Sequence, residues 1–351
     1  MSELFFKMLA SLFWATLFIA PSWAQSQFVK GQKWQIILTG VPDVSKTPLP
    51  PTDAPVWDID LFDSDTATIT ALKATGKIVI CYFSAGTVED WRADAKDFPT
   101  ADVGKVLPEW PNEKWIRTGS TKVRDIMAKR IKLAGDKGCD AIDPDNIVLT
   151  DASDGYQNDN GLSLKSQDAI DYVKWMATEA AKYSMEIGLK NSLDIVDALT
   201  STVDFAVNEQ CAQLSECDRY NAFLATNKPV FHIEYPTPLN TAAAKGVSCT
   251  AAGTTGMSTI LKNMALDGPA PGGHADERRH EPSKADEDAN SQAHDDQAAY
   301  NAPEYDKTDY NATPNNASNA YEDDCNTVAA HKHGGTWEWV QIETLGSVWW
   351  E

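Results

Sequence analysis

The run Cys139-Asp140-Ala141-Ile142-Asp143-Pro144-Asp145-Asn146 concentrates the chemistry of this 351-residue chain. It reads as a short apolar strand ending in two carboxylates and an amide. Residues two apart on a strand share a face, so Asp143 and Asp145 point the same way. Like charges buried together are costly and persist mainly where they have a chemical task. Four further segments end in the same manner: Asp58 with Asp60, Lys190-Asn191, Asn208-Glu209 and Glu234-Tyr235. Hydrolysis of a glycosidic bond needs two carboxyl groups, one to protonate the leaving oxygen and one to act as nucleophile or base. Asp145 and Glu209 are the pair expected here, with Asp143 as first substitute for Asp145 and Glu234 for Glu209. The bland alternative for any single acid is an inner-rim salt bridge, for example to Lys190 or Arg92.

Other chemistries are poorly supplied. His232 is the only histidine before residue 274, which disfavours a Ser-His-Asp triad or a multi-histidine metal site; a substrate contact and a core histidine remain open for it. The chain has no Cys-x-x-Cys, no Gly-x-Gly-x-x-Gly after a strand and no P-loop. Tyr156–Gly161 approaches a calcium loop but has tyrosine where the first carboxylate is required. No metal and no cofactor is expected.

The elements that must position these groups are legible from periodicity. Eight strand-like runs span 34–38, 56–62, 77–84, 140–145, 186–191, 205–210, 230–235 and 257–261. Helical stripes lie between them, clearest at 122–136, stopping at Lys137-Gly138, and at 166–183, with Ser166 as the expected N-cap. Alternating strand and helix argues for a parallel sheet, and eight units in about 244 residues favour a closed (β/α)8 TIM barrel over an open sheet. Strand parity places Asp58, Asp60, Tyr82, Ser84, Asp143, Asp145, His232 and Glu234 on the inner face. Trp57, Ile59, Leu61, Val79, Phe83, Ile142 and Ile233 are then expected to face the helices.

Residues 1–24 resemble a secretory signal: Lys7, an apolar run from Met8 to Ala20, and Ser22-Trp23-Ala24 as a cleavage pattern. The mature chain is expected to begin near Gln25, to be exported, and to use its six cysteines in an oxidising compartment. Cys211 and Cys217 are close enough to staple a loop, whereas Cys81 and Cys139 fit buried thiols or bridge partners equally. The formal net charge of −21 divides into −9 over residues 25–268 and −12 from Pro269 onward. Such acidity disfavours nucleic acid or an anionic membrane as partner. Residues 269–335 read as an acidic, disordered linker with sequons at Asn311 and Asn316. Residues 336–351, with Trp337, Trp339, Trp349 and Trp350, read as a short strand or helix docking on the barrel, with stacking on sugars as the sharper alternative.

Many ordered segments together resemble the barrels of glycoside hydrolase family 114, the endo-α-1,4-polygalactosaminidase family. They are Trp34-Gln35, Asp58-Ile59-Asp60-Leu61-Phe62, Cys81-Tyr82-Phe83-Ser84-Ala85-Gly86 with Glu89, Trp91-Arg92 and Asp94, and Asp143-Pro144-Asp145-Asn146. Lys190-Asn191, Val207-Asn208-Glu209-Gln210-Cys211, Glu216-Cys217, Lys228-Pro229-Val230 and Glu234-Tyr235 continue the pattern to about residue 266. The resemblance implies a (β/α)8 fold, cleavage within α-1,4-linked galactosamine polymers, and Asp145 and Glu209 as the catalytic pair. Asp145 is assigned the nucleophile role and Glu209 that of acid/base. Asp58, Asp60 and Glu234 would face ammonium groups, and Tyr82, Trp115 and Tyr235 would stack on rings. Ser84, Arg92, Asp143, Asn146, Lys190, Asn191 and Asn208 are expected to complete the substrate cleft of a monomeric, secreted enzyme. Arg117, after Trp115-Ile116, stands where the family commonly has an acid, and residues 146–156 form a longer loop. A catalytically idle carbohydrate-binding barrel and a hydrolase of another α-linked glycan are the competing readings.

Overall fold

The computed structural model describes residues 26–46, 48–108, 110–147, 160–237, 239, 242–268, 330–333 and 336–339. The leader, the sequons, Trp349, Trp350 and most of residues 269–335 lie outside them. The strands are β1 (Trp34–Ile37), β2 (Val56–Asp60), β3 (Ile78–Ser84), β4 (Thr87–Glu89), β5 (Val103–Leu107), β6 (Trp110–Ile116), β7 (Ala141–Asp145), β8 (Glu186–Lys190), β9 (Phe205–Glu209), β10 (Val230–Glu234), β11 (Ser258–Leu261), β12 (Ala330–His333) and β13 (Thr336–Trp339). The α-helices are α1 (Thr66–Ala74), α2 (Thr121–Lys137), α3 (Ser166–Ala181), α4 (Val196–Leu199), α5 (Asn221–Leu224) and α6 (Ala242–Thr250).

Eight strands form one parallel sheet in the order β1-β2-β3-β7-β8-β9-β10-β11. The sheet curls until its edges nearly meet. Trp34 Nε1 donates to Ser258 O at 2.8 Å, Leu38 N to Leu266 O at 2.8 Å, and Thr39 bridges Asp267. This is the expected (β/α)8 architecture, and each of the eight expected strands is present to within two residues at either end.

Side-chain alternation divides the barrel into two apolar layers. Ile37, Trp57, Ile59, Val79, Cys81, Phe83, Ile142 and Leu189 pack outward against Ile69 and Leu72 of α1, Ile126, Met127 and Ile131 of α2, and Tyr172, Val173 and Met176 of α3. Trp34, Ile36, Val56, Ile80, Ala141, Phe205, Val207, Phe231 and Ile233 form a separate inner plug closed by Phe28. The rings of Phe28 and Phe205 lie 4.5 Å apart, and those of Trp34 and Phe231 lie 5.0 Å apart. Gly188 is required there, because an added Cβ would stand 2.3 Å from the Phe205 ring. The plug fills the lower barrel, so polar residues one or two positions further along the inward-facing parity emerge at the strands' C-terminal ends.

β10 corrects one expectation. Phe231 and Ile233 belong to the inner plug, while His232 and Glu234 face outward, toward the Cys211–Cys217 disulfide and Thr259. A polar pair on a strand does not by itself reveal its face, because β10 carries apolar residues on both parities.

Gly138 at φ +91° ends α2 where the Lys137-Gly138 pair predicts. The N-cap of α3 is Lys165 rather than Ser166, since Asp168 Oδ2 accepts from Lys165 N at 2.8 Å and Ser166 is already helical. Two features were not anticipated. Between β3 and α2 the chain builds a three-stranded antiparallel sheet, β4-β6-β5, with Thr87 opposite Trp115 and Glu89 opposite Glu113. The end of the segment expected to be a linker forms β12, which pairs antiparallel with β13 in the segment expected to be a short strand or helix. Both Cys81–Cys139 and Cys211–Cys217 are disulfides, and Cys249 is disulfide-bonded as well.

Candidate active site

Parallel barrels present functional groups at the C-terminal ends of their strands. Here Tyr82 and Ser84 end β3, Asp143 and Asp145 end β7, Lys190 ends β8, Glu209 ends β9 and Tyr235 follows β10. The register sets Tyr82 beside Asp143 and Ser84 beside Asp145.

Lys190 is the centre of the cluster. Its Nζ lies 3.5 Å from Asp145 Oδ2 and 3.4 Å from Glu209 Oε2, and it sits 5.2 Å over the Tyr82 ring. One ammonium within those two distances limits the two carboxylate oxygens to about 7 Å apart. That bound admits a retaining pair at about 5–5.5 Å and the near end of the inverting range. Burial alone would lower the Lys190 pKa, but Asp145, Glu209, Asp143 and Asp58 together outweigh it and hold the amine charged. Exposure separates the acids: the side chains of Asp145 and Glu209 are 17% and 22% exposed, whereas Asp58 and Asp143 are fully buried. Of these four acids, Asp145 and Glu209 alone reach the solvent.

Asp145 accepts from the Tyr82 hydroxyl at 2.8 Å and, through Oδ1, from its own neighbour Asn146 N at 2.8 Å. Glu209 Oε1 accepts from the Tyr235 hydroxyl, and Oε2 from Asn191 Nδ2 at 3.5 Å. Asn191 at φ +47° also accepts from Glu209 N at 2.8 Å and from Asn208 Nδ2 at 3.4 Å, so it fixes both backbone and side chain of Glu209. Burial, then the Asp145 charge, pushes the Tyr82 hydroxyl well above its ordinary pKa; burial and Glu209 do the same to Tyr235. Both phenols are therefore lasting donors.

Below this pair, Asp58 and Asp143 form a dyad. Among the described residues no N–H or hydroxyl donor reaches any of their four carboxyl oxygens. Burial pushes both upward, with the charge of Asp143 adding to the shift at Asp58 and that of Asp145 adding at Asp143, while Lys190 opposes it. One proton shared between the two carboxyls satisfies both.

Several expected site residues are placed elsewhere. Asp60 is gripped by Arg92, with Nη2 2.6 Å from Oδ2, and it caps Phe62 N and Asp63 N. Arg92 also bonds Glu89 and packs over Phe62, so this pair is the inner-rim salt bridge rather than an open ammonium site. Glu234 accepts from Ala212 N and His232 Nε2, each at 2.8 Å, behind the sheet. Trp115 is buried with Leu107 and Leu162 and offers no free ring face. Arg117 turns toward Asp102, at 3.4 Å. Asn208 caps Cys211 N at 3.2 Å. Ser84 and Asn146 join a network with Thr87 and Glu113 of the inserted sheet. Sequence reading missed Thr87 and Glu113; the burial of Glu113 and Trp115 on one face of β6 is visible only in the folded structure. Cys211, Cys217 and His232 lie close together, but the two sulfurs are bonded to each other and supply no thiolate for a metal.

No curated protein sequence matches the chain. Among solved structures, Ega3 of Aspergillus fumigatus in complex with galactosamine is 45% identical, covering 70% of this chain and 96% of that one with a TM-score of 0.63. The glycoside hydrolase domain of PelA from Pseudomonas aeruginosa is 14% identical, covering 67% and 96% with a TM-score of 0.53, a likeness of fold alone. The family model for glycoside-hydrolase family GH114 matches residues 16–275, the whole barrel with its carboxylate-bearing rim. The chain belongs to glycoside-hydrolase family GH114 and is a glycoside hydrolase.

Proposed function

We propose that this enzyme cleaves within α-1,4-linked galactosamine polymers, using Asp145 as nucleophile and Glu209 as acid/base. The observation that carries the pair is that the accessible carboxylates of Asp145 and Glu209 share one buried ammonium, Lys190. Tyr82, Asn146 N and Lys190 converge on Asp145, which suits a group that carries negative charge into its attack on the anomeric carbon. Glu209 is the more exposed of the two, which suits a group that protonates the departing oxygen and then activates water. Tyr82 and Tyr235, each partly exposed, flank the pair as ring-contacting residues.

The galactosamine bound to the 45%-identical Ega3 and the acidic barrel support an amino-sugar substrate. Export accords with the disulfides, and no helix among the described residues is long and apolar enough to cross a membrane. Full burial of Asp58, engagement of Asp60 by Arg92 and the outward position of Glu234 remove all three expected ammonium partners, which keeps an uncharged α-linked glycan as a second reading.

The test is cleavage of deacetylated galactosamine polymer beside a panel of uncharged α-glycans, read as new reducing ends and shorter chains. Asp145→Asn and Glu209→Gln are each expected to lose several orders of magnitude in rate while keeping the wild-type circular dichroism. Full turnover in both variants would reject the pair; cleavage of uncharged glycans alone would reject the substrate.

A further inference from the structure

Glu113 stands on β6 of the inserted sheet, outside the barrel strands, and is 7% exposed. Its Oε2 accepts from Thr87 Oγ1 at 2.6 Å and from Asn146 Nδ2 at 3.3 Å. The same Asn146 amide lies 3.2 Å from Ser84 Oγ and 3.3 Å from Thr87 Oγ1. Three acceptors thus surround one side-chain amide, all contributed by the end of β3 and the inserted sheet.

The consequence for Asp145 follows from the backbone. Asn146 has φ +59°, the left-handed region that asparagine enters more readily than other residues with a Cβ. Its N–H, in the peptide plane it shares with Asp145, lies 2.8 Å from Asp145 Oδ1. The turn is enclosed from the other side, since a Cβ on Gly86 would stand 1.4 Å from Asn146 O. Ala85 N and Gly86 N also donate to Asp145 O, at 2.9 and 3.0 Å. Burial pushes the Glu113 carboxyl up to about 7; the Thr87 hydroxyl opposes this, and the charges of Glu89 and Asp145 add to it.

We propose that Glu113 is a positioning residue for Asp145, acting through Asn146: the inserted sheet sets the torsion of the catalytic carboxylate. The catalytic part of this rests on the reaction proposed above. The relay itself is a property of the fold and has its own readout.

The variants Glu113→Ala, Glu113→Gln and Asn146→Ala, with the Glu113→Ala/Asn146→Ala double, are compared with wild type by amide hydrogen exchange at residue 146 and by polymer cleavage. Glu113→Ala is expected to speed exchange at Asn146 and to lower kcat by about ten- to a hundredfold with KM unchanged, as for a small misplacement of a reacting group. Glu113→Gln is expected to recover most of both, because one carbonyl oxygen can accept both bonds. The double variant should lose no more than the worse single one, the mark of a shared path. Unchanged exchange at Asn146 in Glu113→Ala, or fully multiplicative losses in the double, would overturn the relay. If the enzyme does not cleave galactosamine polymer, exchange still decides the relay, so the two failures are distinct. Should Glu113→Ala not fold, Glu113→Asp, which draws the carboxylate back from the Asn146 amide by one methylene, takes its place, and wild-type exchange and kcat in that variant would equally overturn it.

Discussion

Lys190 is a single buried cation serving two accessible carboxylates and the dyad beneath them. Removing one partner from a buried charge cluster leaves the others uncompensated, at about 3–5 kcal/mol. Lys190→Met is therefore expected to lower stability by that order and to abolish turnover, checked by denaturant unfolding alongside polymer cleavage. A Lys190→Met enzyme with wild-type kcat would show that the ammonium has no part in arranging the pair. Gly86 is a second residue-scale test. Its missing side chain is occupied by the Asn146 carbonyl, so Gly86→Ala must displace the turn that carries Asp145. Loss of activity exceeding the loss of stability is the expected outcome, read by the same two measurements.

The loop that leaves β9 shows how elements hold the site. Directly after Glu209, Gln210 takes φ +65°, Cys211 is bridged to Cys217, and Ala212 N is held by Glu234. His232 packs between Glu234, Thr259 and the Cys211 sulfur, so β10 supports Glu209 from behind. The two disulfides should consequently differ in what they protect. Cys81–Cys139 closes 58 residues and ties β3 to the entry of β7, a loop-entropy contribution of about 4 kcal/mol. Cys211–Cys217 closes six residues and contributes about 2 kcal/mol by the same relation. Paired alanine substitutions are expected to rank oppositely: the first pair lowers the unfolding free energy more, and the second lowers kcat more. Equal effects on kcat would remove the Cys211–Cys217 bridge from the positioning of Glu209.

Across the whole molecule, buried carboxyls link the site to pH. Burial raises Asp58, Asp143 and Glu113, the last to about 7, above unfolded values of about 4. The folded state then holds protons that the unfolded chain releases, so stability falls as pH rises from about 4 through about 7. Asp143→Asn removes one member of the dyad and should flatten that slope, measured as the unfolding midpoint across this window. A slope unchanged by Asp143→Asn would refute the shared proton. The acidity of the chain adds self-repulsion of the same sign, and salt distinguishes it, because screening acts on surface charges and scarcely on the buried dyad.

The barrel was legible because its strands are short apolar runs at regular spacing with helical stripes between them, and eight such units have few ways to bury both faces of a parallel sheet. Asp145 and Glu209 were singled out because each stands close to a strand end followed by loop-like sequence, and both do end strands, β7 and β9. The amino acids alone also kept Asp143 and Glu234 as substitutes for that pair, and Asp58 and Asp60 as substrate-binding acids. Tertiary structure decided among them, since burial, Arg92 and the face of β10 depend on neighbours more than twenty residues away in sequence. The inserted sheet and Glu113 were likewise hidden, because β4 is three residues long and its pairing with β6 is a long-range choice. Local pattern determines which segments become strands and where they end; solvent exclusion and charge compensation across the assembled rim determine which acids remain free to react.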